Sequence, residues 1–175
     1  TYTYYAESRE TSSGCVSATR TAVTLTIKDK PTGGITVAET SGTTPNDGTI
    51  CLGSSATLTG TGGDTYAWED MSTTNPRTVT PVSAGTTTYT VTITDAMGCK
   101  DTVMQSIITN PLPTAGITSS ETSGTTNNDN TICTGASVNL TATGGGTYIW
   151  EDNSTSAGRT VSPVSTTTYT VTVTN

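Results

Sequence analysis

The chain contains no histidine and no phenylalanine, and only 7 of its 175 residues are lysine or arginine. Without histidine it cannot form a Ser-His-Asp or Cys-His catalytic group, nor a zinc site that uses histidine. The lysine and arginine residues are scattered along the sequence and are outnumbered by 14 acidic residues, which gives a formal net charge of −7. This balance excludes a basic surface for nucleic acid. No run of 18 apolar residues occurs, so we expect no direct membrane insertion.

Threonine is the most abundant residue, with 47 copies, and serine adds 18. Only 12% of the residues are charged, which differs from the highly charged composition of many disordered chains. Threonine is β-branched and fits the pleated surface of a strand. The composition therefore predicts an all-β protein with many polar strand faces.

The chain repeats itself at an offset of 82 residues. Gly34–Ser83 aligns with Gly116–Ser165, and 34 of the 50 positions are identical. The segment TTTYTVT then recurs at Thr86–Thr92 and Thr166–Thr172. This period suits small tandem domains rather than solenoid units. We therefore predict the C-terminal part of one repeat at 1–30, a complete repeat at 31–112, and a third repeat, truncated at its C-terminus, at 113–175.

Within each repeat the apolar residues alternate with a period of two, as Tyr66 with Trp68 and Tyr89 with Val91. Short alternating segments separated by turn residues are typical of a β-sandwich. We predict six strands, labelled A, B, C, E, F and G, at Ile35–Glu39, Ser55–Gly60, Thr65–Glu69, Thr78–Val82, Thr87–Asp95 and Lys100–Thr109.

The segments between repeats, Asp29–Gly33 and Asn110–Ala115, have the composition of linkers. Pro111 and Pro113 restrict the second linker. Because proline stiffens a linker, we expect tandem Ig-like sandwiches arranged as a rod.

The large aromatic residues fall on predicted strands. Trp68 and Trp150 lie on strand C, where a sandwich core takes its largest side chain, and Tyr89 and Tyr169 lie where the Tyr of a tyrosine corner would. We expect all four to be core residues. A sugar-stacking platform on the surface is the alternative.

Two longer motifs resemble a known group of proteins. These are TIC-x-G-x-S-x-x-L-x-x-x-G-G-x-x-Y-x-W at Thr49–Trp68 and TTTYTVT-x-T-D-x-x-G-C at Thr86–Cys99. They resemble the tandem Ig-like and PKD-like repeats of Bacteroidota cell-surface proteins secreted by the type IX system, including gliding-motility adhesins. The resemblance implies an extracellular, cell-surface stalk with no chemistry in the repeat. Its partners would be neighbouring repeats of the same chain and a surface polysaccharide or substratum.

From these features we expect a non-enzymatic repeat segment of a large extracellular surface adhesin. One alternative is a spacer or carbohydrate-binding module of a secreted hydrolase. Another is a subunit of a polymeric surface fibre.

The four cysteines, Cys15, Cys51, Cys99 and Cys133, occupy equivalent places in the repeats. Their spacing excludes a CxxC redox motif and a zinc ribbon. Disulfides of an exported protein are the main interpretation, and buried free thiols are the alternative. Cys51 pairs either with Cys99 inside the repeat or, like Cys99, with a neighbouring repeat. Cys15 and Cys133 would pair with residues outside the chain.

Acidic and amide side chains cluster between strands A and B, where calcium or a plain turn would explain them. No other cofactor is expected. The candidate ligands are Glu39, Asn46 and Asp47, and in the third repeat Glu121, Asn128 and Asp129.

A second acidic pair, Glu69-Asp70, ends strand C. Adjacent strand residues point to opposite faces, so the pair does not fit a glycosidase. We expect it to form an ion pair with Arg77, and Arg159 to do the same in the third repeat.

Thr102 lies in an Asp-Thr-Val segment, which resembles an O-glycosylation acceptor of Bacteroidota. An ordinary strand G is the alternative.

Overall fold

The computed structural model describes all residues from Thr1 to Asn175. It contains fourteen β-strands and no helix, which confirms the predicted all-β class. No helix is therefore present that could cross a membrane. The chain forms two compact units, unit 1 at Thr1–Thr109 and unit 2 at Asn110–Asn175. The strands of unit 1 are β1 Tyr2–Ala6, β2 Thr21–Leu25, β3 Gly34–Glu39, β4 Thr49–Cys51, β5 Ala56–Thr61, β6 Thr65–Trp68, β7 Arg77–Val79, β8 Gly85–Thr94 and β9 Lys100–Asn110. Those of unit 2 are β10 Gly116–Ser120, β11 Val138–Thr143, β12 Thr147–Trp150, β13 Gly158–Val161 and β14 Val171–Thr174.

Unit 1 contains a sandwich of two sheets, with strand orders β3-β5-β7 and β4-β9-β8-β6. Every other residue of β5 and of the second half of β8 is buried. The apolar members of these rows, such as Leu58 and Val91, meet in one core with Ile50, Trp68 and Ile107. The alternation of threonine with apolar residues therefore gives each strand one core face and one polar face.

Glycine is required where β5 turns into β6. Gly62 has a φ of 92°, and an added Cβ would overlap the carbonyl of Thr32 in the preceding linker. Gly144 has a φ of 100°, and an added Cβ there would overlap the carbonyl of Thr114. Each unit therefore packs the segment that precedes its first sandwich strand against the same glycine turn.

The first two strands of unit 1 form an antiparallel hairpin in which Tyr4 is opposite Val23 and Tyr2 is opposite Leu25. All residues of both strands are exposed. Residues directly opposite one another share a face of the sheet, so these four apolar side chains form one face with nothing packed on it.

Unit 2 repeats most of this design with two smaller sheets, β10-β11-β13 and β12-β14. Its core is formed by Val138, Leu140, Ala142 and Trp150. It has no counterpart of β9, and Thr131–Cys133, which corresponds to β4, is not a strand.

The predicted strand positions agree closely with those found in unit 1, with two differences. The segment between strands A and B contains the short strand β4, which joins the sheet through β9. The predicted strand at Thr78–Val82 is instead β7, which begins at Arg77 and ends at Val79.

Candidate functional site

The strongest recurring cluster lies where β6 ends, and we call it the arginine clamp. It consists of Trp68, Glu69, Asp70, Arg77 and Tyr89 in unit 1. In unit 2 its members are Trp150, Glu151, Asp152, Arg159 and Tyr169. Trp68 and Trp150 are only 3% and 2% exposed.

A tight turn sets the geometry of the clamp. The Met71 amide donates to the Trp68 carbonyl at 2.9 Å, and Met71 itself has a left-handed φ of 65°. The indole N–H of Trp68 donates to the carbonyl of Thr74 at 3.0 Å, which satisfies its one polar atom. The turn therefore fixes the indole ring and leaves the next two side chains, Glu69 and Asp70, on the side of Arg77.

The Arg77 guanidinium contacts four groups at once. Its Nη1 is 2.8 Å from Glu69 Oε1 and its Nη2 is 3.0 Å from Asp70 Oδ2. Its Cζ lies 5.4 Å from the centroid of a Trp68 ring and 5.3 Å from that of Tyr89. The guanidinium thus combines ion pairing with cation–π contacts to two aromatic rings.

The clamp joins the two sheets of the sandwich. Arg77 belongs to β7 in one sheet, whereas Trp68 and Tyr89 belong to β6 and β8 in the other. Glu69 adds a further link, since its Oε2 accepts the amide of Thr90 on β8 at 2.9 Å. Separation of the sheets would break these contacts together.

Unit 2 reproduces the same contacts. Arg159 lies 2.7 Å from Glu151 Oε1 and 3.1 Å from Asp152 Oδ2. Its Cζ is 5.2 Å from the centroid of a Trp150 ring and 5.3 Å from that of Tyr169. The clamp is therefore a property of the repeat rather than of one unit.

The ionisation of the clamp follows from these contacts. Partial burial raises the pKa of Glu69, but hydrogen bonds from the Thr90 amide, its own amide and Arg77 outweigh burial and hold the pKa below its ordinary value. In unit 2 the Ser154 hydroxyl and amide lower the pKa of Asp152. Burial raises the pKa of the Tyr89 hydroxyl. The carboxylates are thus charged and engaged at neutral pH, which suits cohesion between strands rather than proton transfer.

The candidate calcium ligands of unit 1 form hydrogen bonds within their own loop. Glu39 is buried, and its Oε1 accepts the Gly48 amide at 3.1 Å. Asp47 Oδ1 accepts the Thr49 amide at 2.7 Å, and Asn46 has a left-handed φ of 62°. These are the contacts of a turn.

Unit 2 has the same arrangement, in which Glu121 Oε1 accepts the Asp129 amide at 3.0 Å and Asn128 Oδ1 accepts the Glu121 amide at 3.1 Å. Oε2 of Glu39 and of Glu121 has no hydrogen-bond partner. The chain contains no group of three or more Cys, Asp or Glu side chains placed to hold a metal ion. Turn formation therefore accounts for one oxygen of each candidate carboxylate and for the amide oxygen of Asn128.

All four cysteines are free, and Cys51 cannot reach Cys99. The carbonyl of Gly48, three residues before Cys51, accepts the amide of Ile108 at 2.8 Å. Cys99 precedes Ile108 by nine residues of strand, which span about 30 Å. The three residues from Gly48 to Cys51 can shorten this distance by at most about 10 Å. The two cysteines therefore lie at least about 20 Å apart. A disulfide needs Cα atoms within about 7 Å, and this fold therefore does not bring Cys51 and Cys99 within bonding distance of each other.

Thr102 is exposed on β9, opposite Thr92. The neighbouring Asp101 has a structural role, since it accepts the Lys30 ammonium at 2.6 Å and the Gly33 amide at 3.1 Å. These two contacts, the Lys30 bond first, lower the pKa of Asp101. The linker before β3 is thus fastened to the second residue of β9.

The sequence predicted the pairing of Arg77 with the acidic residues, but it did not reveal the stacking on Trp68 and Tyr89. The available signal was an arginine at the start of the predicted strand E in both repeats. That signal becomes informative only when the strand order places β7 across the core from β6 and β8.

Comparison with known proteins does not assign the chain to a family. No protein-family model matches the chain, and no curated protein is similar to it.

Proposed function

We propose that the chain is a non-enzymatic repeat segment of a large extracellular surface adhesin, in which each sandwich is a mechanical spacer. The observation that carries this proposal is the arginine clamp, which links the two sheets in both units by the same contacts. A repeated internal link of this kind benefits a domain that must stay folded under tension.

The path of the chain through unit 1 supports the spacer role. The linker residue Gly33 lies against Asp101, at the beginning of β9. The chain leaves the same strand at its end, Asn110. The two points are separated by about 30 Å of strand. The polypeptide therefore enters and leaves the sandwich at opposite ends of its longest strand, which favours tandem units in a rod.

Tension applied through these two ends would act along the strands. The first strand, β3, is held by β5, and the last, β9, is held by β8 over ten register pairs from Gly85↔Thr109 to Thr94↔Lys100. Because such ladders are loaded in shear, many backbone hydrogen bonds must break at once. The clamp would add resistance to separation of the sheets.

Single-molecule force spectroscopy on the 175-residue chain between two handles tests the mechanical role. We expect cooperative unfolding peaks, and we expect Arg77→Leu to lower the unfolding force of unit 1 while leaving that of unit 2 unchanged. Arg20→Leu is the matched control, because Arg20 pairs with Glu7 on the exposed hairpin. Unfolding of Arg77→Leu at the wild-type force would contradict the proposal.

A carbohydrate-binding module is the competing function, and tryptophan fluorescence separates the two. Both indoles are buried and bonded to backbone carbonyls, so a sugar has no access to them. We expect no change in emission when soluble polysaccharides are titrated. A saturable shift that is lost in Trp68→Phe would instead favour the carbohydrate-binding module.

A further inference from the structure

The segment Lys30–Gly33, which we call the linker latch, lies on the sandwich of unit 1 just before the first sandwich strand, β3. Asp101, the second residue of β9, holds both of its ends. Asp101 Oδ1 accepts the Lys30 ammonium at 2.6 Å, and Oδ2 accepts the Gly33 amide at 3.1 Å. Hydrogen bonds that involve a charged group are stronger than those between neutral groups. One carboxylate therefore fixes the latch at its beginning and at its end.

Close packing also holds the linker latch. Gly33 lies so near to β8 and β9 that an added Cβ would overlap Cδ1 of Ile93 and would stand 3.4 Å from Cγ1 of Val103. The carbonyl of Thr32 lies against Gly62 in the turn between β5 and β6. The latch therefore occupies a fitted seat that is made by two strands and a glycine turn.

The corresponding positions of unit 2 differ in a matched way. Where unit 1 combines a glycine in the latch with an isoleucine on the strand, unit 2 has Ala115 and Val173. One carbon more on the segment is offset by one carbon fewer on the strand, which keeps the total volume constant. Leu112 stands in place of Lys30 and cannot form an ion pair. The seat is thus matched to the segment that it holds, and the charged contact is a property of the latch of unit 1.

The linker latch is held by fewer bonds than the strand that follows it. β3 pairs with β5 over six register positions, whereas the latch has two hydrogen bonds to one carboxylate. The Lys30 side chain is 70% exposed, and exposed ion pairs contribute little. Tension that arrives from Asp29 acts on Lys30 first and on Gly33 next, so the two bonds are loaded one after the other. The bonds between β3 and β5 share the load, and the latch therefore opens at a lower force than β3.

We propose that the linker latch is a releasable joint, which seats the chain on the sandwich at rest and detaches as one unit under tension, before β3 does. Its release frees four residues and adds at most about 14 Å of chain. The seat remains in the folded sandwich, and local contacts form far faster than a domain refolds, so the latch closes again when the tension falls.

A releasable joint would let a mechanical spacer yield to small forces without unfolding. The inference therefore deepens the proposed spacer role and rests on it. It also assigns Asp101 as the residue that positions the linker, since the same carboxylate bonds both ends of the latch.

Optical tweezers on the 175-residue chain, with handles attached at positions 28 and 110, test the inference, because the exposed hairpin is then outside the loaded path. We expect a small reversible step below the unfolding force of the sandwich. Asp101→Asn and Lys30→Gln should shift this step to a lower force and leave the unfolding force unchanged. Asp64→Asn, which removes the same charge from an exposed side chain, is the matched control and should behave like the wild type. Lys30 lies outside every strand, so Lys30→Gln does not disturb the sandwich.

Hydrogen exchange of the Gly33 amide, followed by NMR, provides a second readout without tension. This amide donates to Asp101 and not to Lys30. If the latch opens as one unit, Lys30→Gln should nevertheless speed the exchange by about twofold to fivefold. Gly33→Ala should reduce the protection of residue 33, and the added change Ile93→Val, which reproduces the pair of unit 2, should restore it.

The outcomes separate this inference from the spacer role. Cooperative unfolding without an earlier small step would overturn the inference and leave the spacer role standing. A step and a Gly33 exchange rate that are unchanged in both Asp101→Asn and Lys30→Gln would have the same meaning. Loss of cooperative unfolding altogether would contradict the spacer role, and the inference with it.

Discussion

Arg77 and Arg159 show how one side chain can satisfy several partners in a chain with few charges. Each pairs with two carboxylates and packs over two aromatic rings, and only 17% of each arginine side chain is exposed. Exposed ion pairs contribute little to stability, but a planar guanidinium that already packs on aromatic rings loses less entropy when it pairs. The clamp therefore stabilises each unit more than its two ion pairs alone would.

Replacement of Arg77 by leucine should measure this contribution. The change removes the cation–π contacts and leaves two carboxylates without a counter-charge, so we expect unit 1 to lose about 2 kcal/mol of unfolding free energy. Arg77→Lys, which keeps the charge but loses the planar contacts, should lose about half as much. Urea unfolding followed by tryptophan fluorescence gives the values. A loss below about 0.5 kcal/mol for Arg77→Leu would place the clamp among ordinary surface ion pairs.

The clamp also predicts a dependence of stability on pH. The pKa values of Glu69 and Glu151 are lower in the folded chain than their ordinary values. A group of this kind stabilises the fold above its ordinary pKa, near pH 4.3, and the stabilisation is lost as the pH falls through the lower, folded pKa. We expect the melting temperature to decrease below about pH 4, and to decrease less steeply in the double variant Glu69→Gln, Glu151→Gln. Parallel curves for the two proteins would contradict this assignment.

Trp68 has the largest side chain in the core of unit 1. It is almost fully buried, and its replacement leaves a cavity between two sheets. We expect Trp68→Ala to destabilise unit 1 by about 3–5 kcal/mol. Calorimetry of the variant measures this loss, and Ile149→Ala, at a half-exposed position of unit 2, provides a comparison. A loss below about 1 kcal/mol for Trp68→Ala would contradict the core role.

At the scale of the elements, the alternation of apolar residues and the turn residues were enough to locate most strands. The segments that were not located this way depend on whether a neighbouring strand pairs with them. β4 has only three residues and is a strand because β9 lies beside it. The sequence of Thr49–Cys51 alone does not indicate this neighbour. The segment at Thr166–Thr170 has the same sequence as part of β8 and yet is not a strand. The clamp was predicted only as ion pairs for the same reason, since its stacking depends on the order of strands in two sheets.

The loop between β3 and β4 leads to a prediction about metal ions. One carboxylate oxygen each of Glu39 and Asp47 accepts a backbone N–H group of the same loop. Because these oxygens are engaged by backbone N–H groups, we expect a calcium chelator to leave the melting temperature unchanged. Scanning calorimetry with and without chelator checks this, with magnesium added back as a control for general salt effects. A decrease in the presence of chelator, reversed by calcium alone, would restore the calcium hypothesis.

At the scale of the whole molecule, the two units differ in completeness although their sequences are similar. Unit 1 has a seven-stranded sandwich, whereas unit 2 has five strands and a partly covered core. We expect unit 2 to unfold at a lower urea concentration than unit 1. Trp68→Phe and Trp150→Phe leave one indole each, so their fluorescence reports the units separately. A single coincident transition in both variants would contradict the expectation.

The similarity of the repeats also has a consequence for synthesis and folding. β5 and β11 pair with β3 and β10 in the same register, with a glycine opposite a threonine at the end of each ladder. A newly made chain could therefore pair β3 with β11, which shares three of its six residues with β5. The correct partner of β3 follows after 16 residues, whereas β11 follows after 98. Closing the longer loop costs about 1.6 kcal/mol more, and β5 leaves the ribosome first. Correct assembly of such similar neighbours thus depends on the order in which they are made, and refolding of the complete chain from denaturant should yield more misassembled product than folding during synthesis.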